Sequence, residues 1–168
     1  MCPSARKGSG SFATTAAFLD CKRRNEEIGG INSHMLDSDF RYAIEVRHKS
    51  LFDKGIYKLL SDNNICLAWS QLDTIQTPHE QSSDFLYLRF IGDRSIDQKD
   101  FGTIQKDHFK ELKMWSDEVS TLNDRANFAI VAANNQYAGF GPANANSFRK
   151  MMGLKEVVWE EMKQKKRL

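Results

Sequence analysis

Glu45, Arg47, Arg89 and the paired amides Asn134 and Asn135 are the residues through which this chain could do chemistry. Each stands near the exit of a short apolar run that reads as a β-strand. Within residues 42–47, strand alternation puts Ile44 and Val46 on one face and Ala43, Glu45 and Arg47 on the other. Within residues 86–90, Leu88 and Phe90 share one face, Tyr87 and Arg89 the other. Charges buried in the middle of a sheet would be costly, whereas charges at strand ends stay hydrated and useful. Two guanidinium groups gathered there suit a phosphate or a carboxylate. Glu45 would then orient them, or act as an acid/base, being the one strand-end carboxylate among these cations. The alternative is a structural ion pair of Glu45 with Arg47 or Arg89. His48 follows at the strand exit, either as a capping residue or as a ligand contact, and Trp69 closes its own strand with a surface for stacking. Asn134 and Asn135 either satisfy a left-handed turn or touch the ligand.

The elements that would hold these residues form a repeating rhythm. Strands are expected at residues 40–47, 65–69, 85–90 and 128–133. Helices are expected at 52–60, within 105–122, and at 142–152. The first carries Phe52, Ile56, Leu59 and Leu60 on one side, and the second Phe109, Leu112, Trp115 and Val119. The helix at 142–152 opens on Pro142 and stops at Gly153, as helices prefer. Strands alternating with helices imply a parallel sheet. In such sheets ligands gather at the C-terminal strand ends, where helix N-termini also offer N–H groups to anions. A further helix is expected over 156–166, with the run KQKKRL as its solvated end. Residues 1–17 read as a disordered segment of small and polar residues, and residues 18–28 as a short helix stopped by Gly29 and Gly30. The domain proper is expected to cover residues 18–168.

Whole-chain properties narrow the field. With 168 residues the chain can bury a real core. Its net charge is only +2, so any attraction for anions must be local, and a nucleic-acid partner has no support from charge. No apolar run approaches the roughly 20 residues that span a bilayer, and the N-terminus lacks an apolar signal segment. Cys2, Cys21 and Cys66 have neither disulfide nor zinc spacing, which suits a reducing, cytoplasmic setting. His34, His79 and His108 show no ligand spacing either, so neither a metal nor another cofactor is expected. Nucleophile-elbow, Cys–His and phosphate-loop motifs are absent.

The segments YAIEVRHKSLF, NNICLAWS, SDFLYLRFIG and ANNQYAGFGPANANSFRKMMGL, in this order, resemble the domain of unknown function 72 family (YecE-like). The likeness covers residues 36–160. It implies a TIM-like (β/α) barrel with its pocket at the strand C-termini. The family's polar motif positions would fall on Glu45, Arg47, His48, Trp69, Arg89, Asn134, Asn135 and Asn146. No established reaction comes with the family. Its members open with a glycine-rich, Trp-bearing strand that is missing here, so the expected fold is α/β, a partial TIM-like (β/α) barrel with about four parallel strands alternating with helices. A TIM barrel closes on eight strands. Unpaired edges at 40–47 and 128–133 would therefore call for a homodimer or a separate N-terminal half. The functional expectation is an anion site acting on phosphate-containing substrates, as a hydrolase. Its alternatives are a non-catalytic ligand- or partner-binding half-barrel and an inactive, truncated family member.

Overall fold

The computed structural model describes the backbone of residues 14–19, and residues 39–72, 75, 77–92, 94–122 and 125–158. Its strands are β1 (Thr14–Leu19), β2 (Arg41–Val46), β3 (Cys66–Leu67), β4 (Trp69–Gln71), β5 (Phe85–Phe90) and β6 (Phe128–Ala133). Helix α1 (Lys54–Asp62) lies between β2 and β3, and α2 (Phe109–Thr121) between β5 and β6. A single turn, α3 (Asn135–Ala138), and then α4 (Gly141–Met151) follow β6. Two three-stranded sheets result, β1-β2-β3 and β4-β5-β6, and every pairing within them is parallel. This is the mixed α/β, parallel arrangement that the strand–helix rhythm implies, and the partial TIM-like one that the family resemblance implies.

What reads in sequence as one strand over 65–69 is two, because Ala68 is a change of partner. Ala68 N–H still donates to Ile44 O of β2 at 2.9 Å, while Trp69 already pairs with Leu88 of β5. The main chain left over at the junction is taken up by side chains. Ser82 Oγ accepts from Leu67 N and donates to Ile65 O, each at 2.7 Å.

Alternation divides the strands into two faces. Leu86, Leu88, Phe90 and Trp69 pack beneath α2 and α4, against Leu112, Trp115 and Phe148. Ile44, Val46 and Leu67 pack beneath α1 with Leu60 and Ile65. The opposite, inner face is layered. Its bottom layer is apolar: Ala43, Cys66 and Phe85, with Phe128 against them. Burial pushes the Cys66 thiol up to about 11.

Helix ends follow local chemistry. Asp53 caps α1, its Oδ1 accepting from Gly55 N at 2.8 Å and Ile56 N at 3.1 Å. Pro142 lies in the first turn of α4, and Gly153, at φ +70°, lets the chain leave it. In α2, Leu112 and Trp115 are buried and Val119 packs on the core. Phe109, expected on the same side, is the first residue of the helix and is 61% exposed.

Other expectations change. Thr14–Leu19 is a strand, whereas the sequence reading placed the end of a disordered segment and the start of a helix there. Its small residues give little local signal, and pairing with β2 defines it. Strand β2 is consequently no edge. Residues 155–158 are not helical, and the remainder of the helix expected at 156–166 lies outside the described residues, as do residues 1–13 and 20–38.

A polar staple that sequence reading missed closes the N-terminal strand ends. Asp84, just before β5, accepts from Arg41 Nη2 at 3.1 Å, Asn64 Nδ2 at 3.2 Å and Asn127 Nδ2 at 3.1 Å. It thereby ties the starts of β2, β3, β5 and β6. The Arg41 hydrogen bond above all holds its carboxyl below the usual range.

Candidate functional site

Glu45 is the anchor of the inner face. Its side chain is 0% exposed, and both its oxygens are engaged by arginine. Arg47 Nε donates to Oε1 at 2.7 Å, and Arg89 Nη1 donates to Oε2. The first contact is local, since residues i and i+2 of an extended chain share a face. The second crosses the sheet. Strands β2 and β5 are two apart, roughly 9.6 Å at the usual spacing of about 4.8 Å per strand. A long guanidinium side chain can bridge that gap because the inner positions of the strand between them are small, Ala68 and Ser70.

Register turns these residues into layers, as in the interior of a parallel barrel. Ser70 pairs with Arg89, and Arg89 with Ala132. Continuing the β2–β3 register past Ile44↔Leu67 sets Glu45 level with Ala68 and Arg47 level with Ser70. Above the apolar bottom layer lies one containing Glu45, Ala68, Tyr87 and Ile130. The layer at the C-terminal ends contains Arg47, Ser70, Arg89 and Ala132. Among the described contacts, two guanidinium groups stand over one carboxylate at the strand ends. Arg47 reaches furthest out, with 38% of its side chain exposed against 16% for Arg89. Arg89 also stands over the Tyr87 ring, 5.9 Å from its centroid.

Asn134 continues β6 in extended backbone, on the side of Ala132, and is exposed at the same end. Its N–H donates to Phe90 O at 2.9 Å. The other expected positions do different work. Asn135 Oδ1 accepts from Gly141 N at 2.9 Å and so occupies the entry of α4. His48 Nδ1 accepts from Ser50 N at 3.2 Å and caps the short turn Lys49–Leu51. Asn146 holds Val157 by both main-chain groups, at 2.9 Å each, and pins the segment after α4 to that helix.

Trp69 needs a correction. Its indole lies on the helix side, 6.0 Å from the Trp115 ring, and its Nε1 donates to Glu80 O at 3.0 Å. Only 1% of the residue is exposed, so it offers the mouth no stacking surface. It pairs with Leu88, a helix-side residue, and parity assigns it to that face. The same parity assigns Ser70 to the inner face, a residue that sequence reading passed over. Among the described residues, no three His, Cys, Asp or Glu side chains come together as a metal site requires.

Parallel strands with helices on one face and a basic cluster at their C-terminal ends define a segment of an α/β barrel with a polar mouth. The family model of the protein of unknown function DUF72 matches residues 12–167, and the chain belongs to that family. Among solved structures it is similar to a DUF72 family protein from Thermotoga maritima, at 22% identity and a TM-score of 0.61. That match covers 84% of this chain and 58% of the other. A DUF72 family protein from Enterococcus faecalis matches at 20% identity and a TM-score of 0.61, covering 86% and 61%. A second structure of the Enterococcus protein matches at 19% identity and a TM-score of 0.64, covering 84% and 59%. The chain thus spans about three-fifths of the length of these solved relatives. Among curated proteins, none matches.

Proposed function

We propose that this chain binds an anionic small molecule, bearing phosphate or carboxylate, at the C-terminal ends of β2, β4 and β5. The observation that carries this reading is the convergence of Arg47 and Arg89 on the fully buried Glu45. A carboxylate so enclosed fixes two guanidinium groups in place, and fixed guanidinium groups match oxyanions with little left to order on binding. In its enzymatic form, the chain is a hydrolase of phosphate-containing substrates, with the arginines stabilising the charge that develops on the phosphoryl group. Glu45 is then a positioning residue. A non-catalytic binding role is the second reading, and one observation favours it: Glu45 is the only carboxylate on the inner face of the described strands, and two arginines already occupy it. The setting is a cytoplasmic one, in keeping with Cys66 as a buried free thiol. Strands from a second copy or from a separate N-terminal half would cover β6.

Thermal unfolding in inorganic phosphate at constant ionic strength tests the reading. Phosphate should raise the Tm of the wild type, because a ligand that binds only the folded state stabilises it. Arg47→Met and Arg89→Met should each remove most of that rise. Arg47, the more exposed of the two, is the cleaner variant, since more of its side chain already meets water. A phosphate response equal to wild type in both variants would sink the assignment. A phosphoester panel run on wild type and Glu45→Gln tests the hydrolase form, and no turnover on any substrate would leave the binding role.

A further inference from the structure

We propose that the Ser70 hydroxyl is a ligand-binding group of this site, donating a hydrogen bond to the oxyanion whose charge Arg47 and Arg89 balance; the inference rests on the anion-site reading above. The direction of the side chain is set by its neighbours. Trp69 packs on Trp115, and Gln71 Oε1 accepts from Trp115 Nε1 at 2.7 Å, so both point to the helix side. Ser70 between them must point to the inner face. There its partner in register is Arg89, and it stands in the uppermost layer with Arg47.

Ser70 is 1% exposed, and its Oγ has no hydrogen-bond partner among the described residues. Its main chain is satisfied: the N–H donates to Thr77 Oγ1 at 3.2 Å, and the carbonyl accepts from the same hydroxyl at 3.4 Å. Ser82, another buried hydroxyl, both donates and accepts. A buried hydroxyl left unmatched destabilises the fold and calls for a reason. Two residues earlier on the same face stands Ala68, which shows that the strand accommodates a side chain without this cost. A hydroxyl beside a guanidinium is the neutral donor that complements charged ones around a phosphate or carboxylate oxygen.

Calorimetric titration with inorganic phosphate, and with malonate as the carboxylate arm, tests this on wild type, Ser70→Ala, Ser70→Cys and Arg89→Met. Losing one hydrogen bond to a charged ligand should raise the Kd of Ser70→Ala about ten-fold or more. Ser70→Cys keeps the volume but donates weakly, and should lose affinity as well. The decisive second readout is stability without ligand. Removing an unmatched hydroxyl should leave the Tm of Ser70→Ala unchanged or raise it, whereas a structural hydroxyl would lower it. Wild-type affinity in Ser70→Ala, or a lower Tm without ligand, overturns the inference. If Ser70→Ala binds normally while Arg89→Met does not, the anion site stands and only the role of Ser70 falls. Absence of binding by the wild type overturns both.

Discussion

Glu45→Gln is the perturbation that most sharply tests whether Glu45 anchors the two arginines. Glutamine keeps the volume, so neither a cavity nor a lost packing contact enters the result. It keeps only one of the two acceptor oxygens that the arginines use, and sets an N–H donor against the other guanidinium. It also removes the single negative charge between Arg47 and Arg89. Breaking a buried ion pair by deleting one partner typically costs 3–5 kcal/mol, because the other charge is left uncompensated. Here the cost divides unequally. With 38% of its side chain exposed, Arg47 can turn to water, and its share must be discounted for screening. Arg89, at 16%, has less escape, and it reaches across the strand between β5 and β2 to Glu45. The loss should therefore lie near the lower end, about 3 kcal/mol. For a domain of this size, where 1 kcal/mol shifts the Tm by roughly 2–4 °C, the expected fall is about 6–12 °C. Circular dichroism melts and urea titrations on the two proteins measure it. A double-mutant cycle with Arg89→Met should give a coupling of about 1 kcal/mol or more, since the two side chains touch. A fall below about 1 kcal/mol, with additive single variants, would refute the reasoning that Glu45 anchors the two arginines.

Further outcomes are expected elsewhere. Asp84→Asn should cost about 1–2 kcal/mol by weakening the staple of β2, β3, β5 and β6. Because folding lowers this carboxyl below its ordinary 3.8, the contribution is full above that value and is lost as pH falls through the folded pKa. The gap between wild type and variant should hence close in acid, and a gap that widens there would be contrary. In a background with Cys2 and Cys21 replaced by serine, buried Cys66, its thiol pushed up to about 11, should resist a disulfide reagent until the chain unfolds; rapid stoichiometric labelling of the native protein would count against the burial described. None of the six residues of β6 is buried, and among the described residues it pairs only with β5. Light scattering should accordingly show a dimer or larger species, and a monodisperse, well-folded monomer would refute that expectation.

Much of the fold was legible because it is local. Within residues 42–47 and 86–90 the faces of Ile44, Glu45, Leu88 and Arg89 follow from strand parity alone. The bridge from Arg89 to Glu45 was among the alternatives raised, since like faces of parallel strands meet. What escaped is non-local. No property of Ile65–Trp69 taken alone announces that its hydrogen-bonding partner changes at Ala68. Trp69 reads as a mouth residue from its place at a strand end, but the strand runs on to Gln71 and its alternation turns the indole away. Asp84, Asn64 and Asn127 lie far apart in sequence and meet only once the strands align. Asn135 and Asn146 read as ligand contacts because amides before and within a helix serve either purpose, and here packing commits both to the main chain. Ser70 could have been found by extending to 70 the parity applied to residues 45 and 89.

The account stands or falls on whether an oxyanion settles beside Arg47 and Arg89, and a crystal structure grown with tungstate, an electron-dense phosphate analogue, asks this directly. The account predicts one anomalous peak at the C-terminal ends of β2, β4 and β5, within hydrogen-bonding distance of both guanidinium groups, with Glu45 still bonded beneath them. Tungstate bound elsewhere, with this layer unoccupied and the Glu45 contacts unchanged, would contradict it and leave the cluster as a purely structural ion pair.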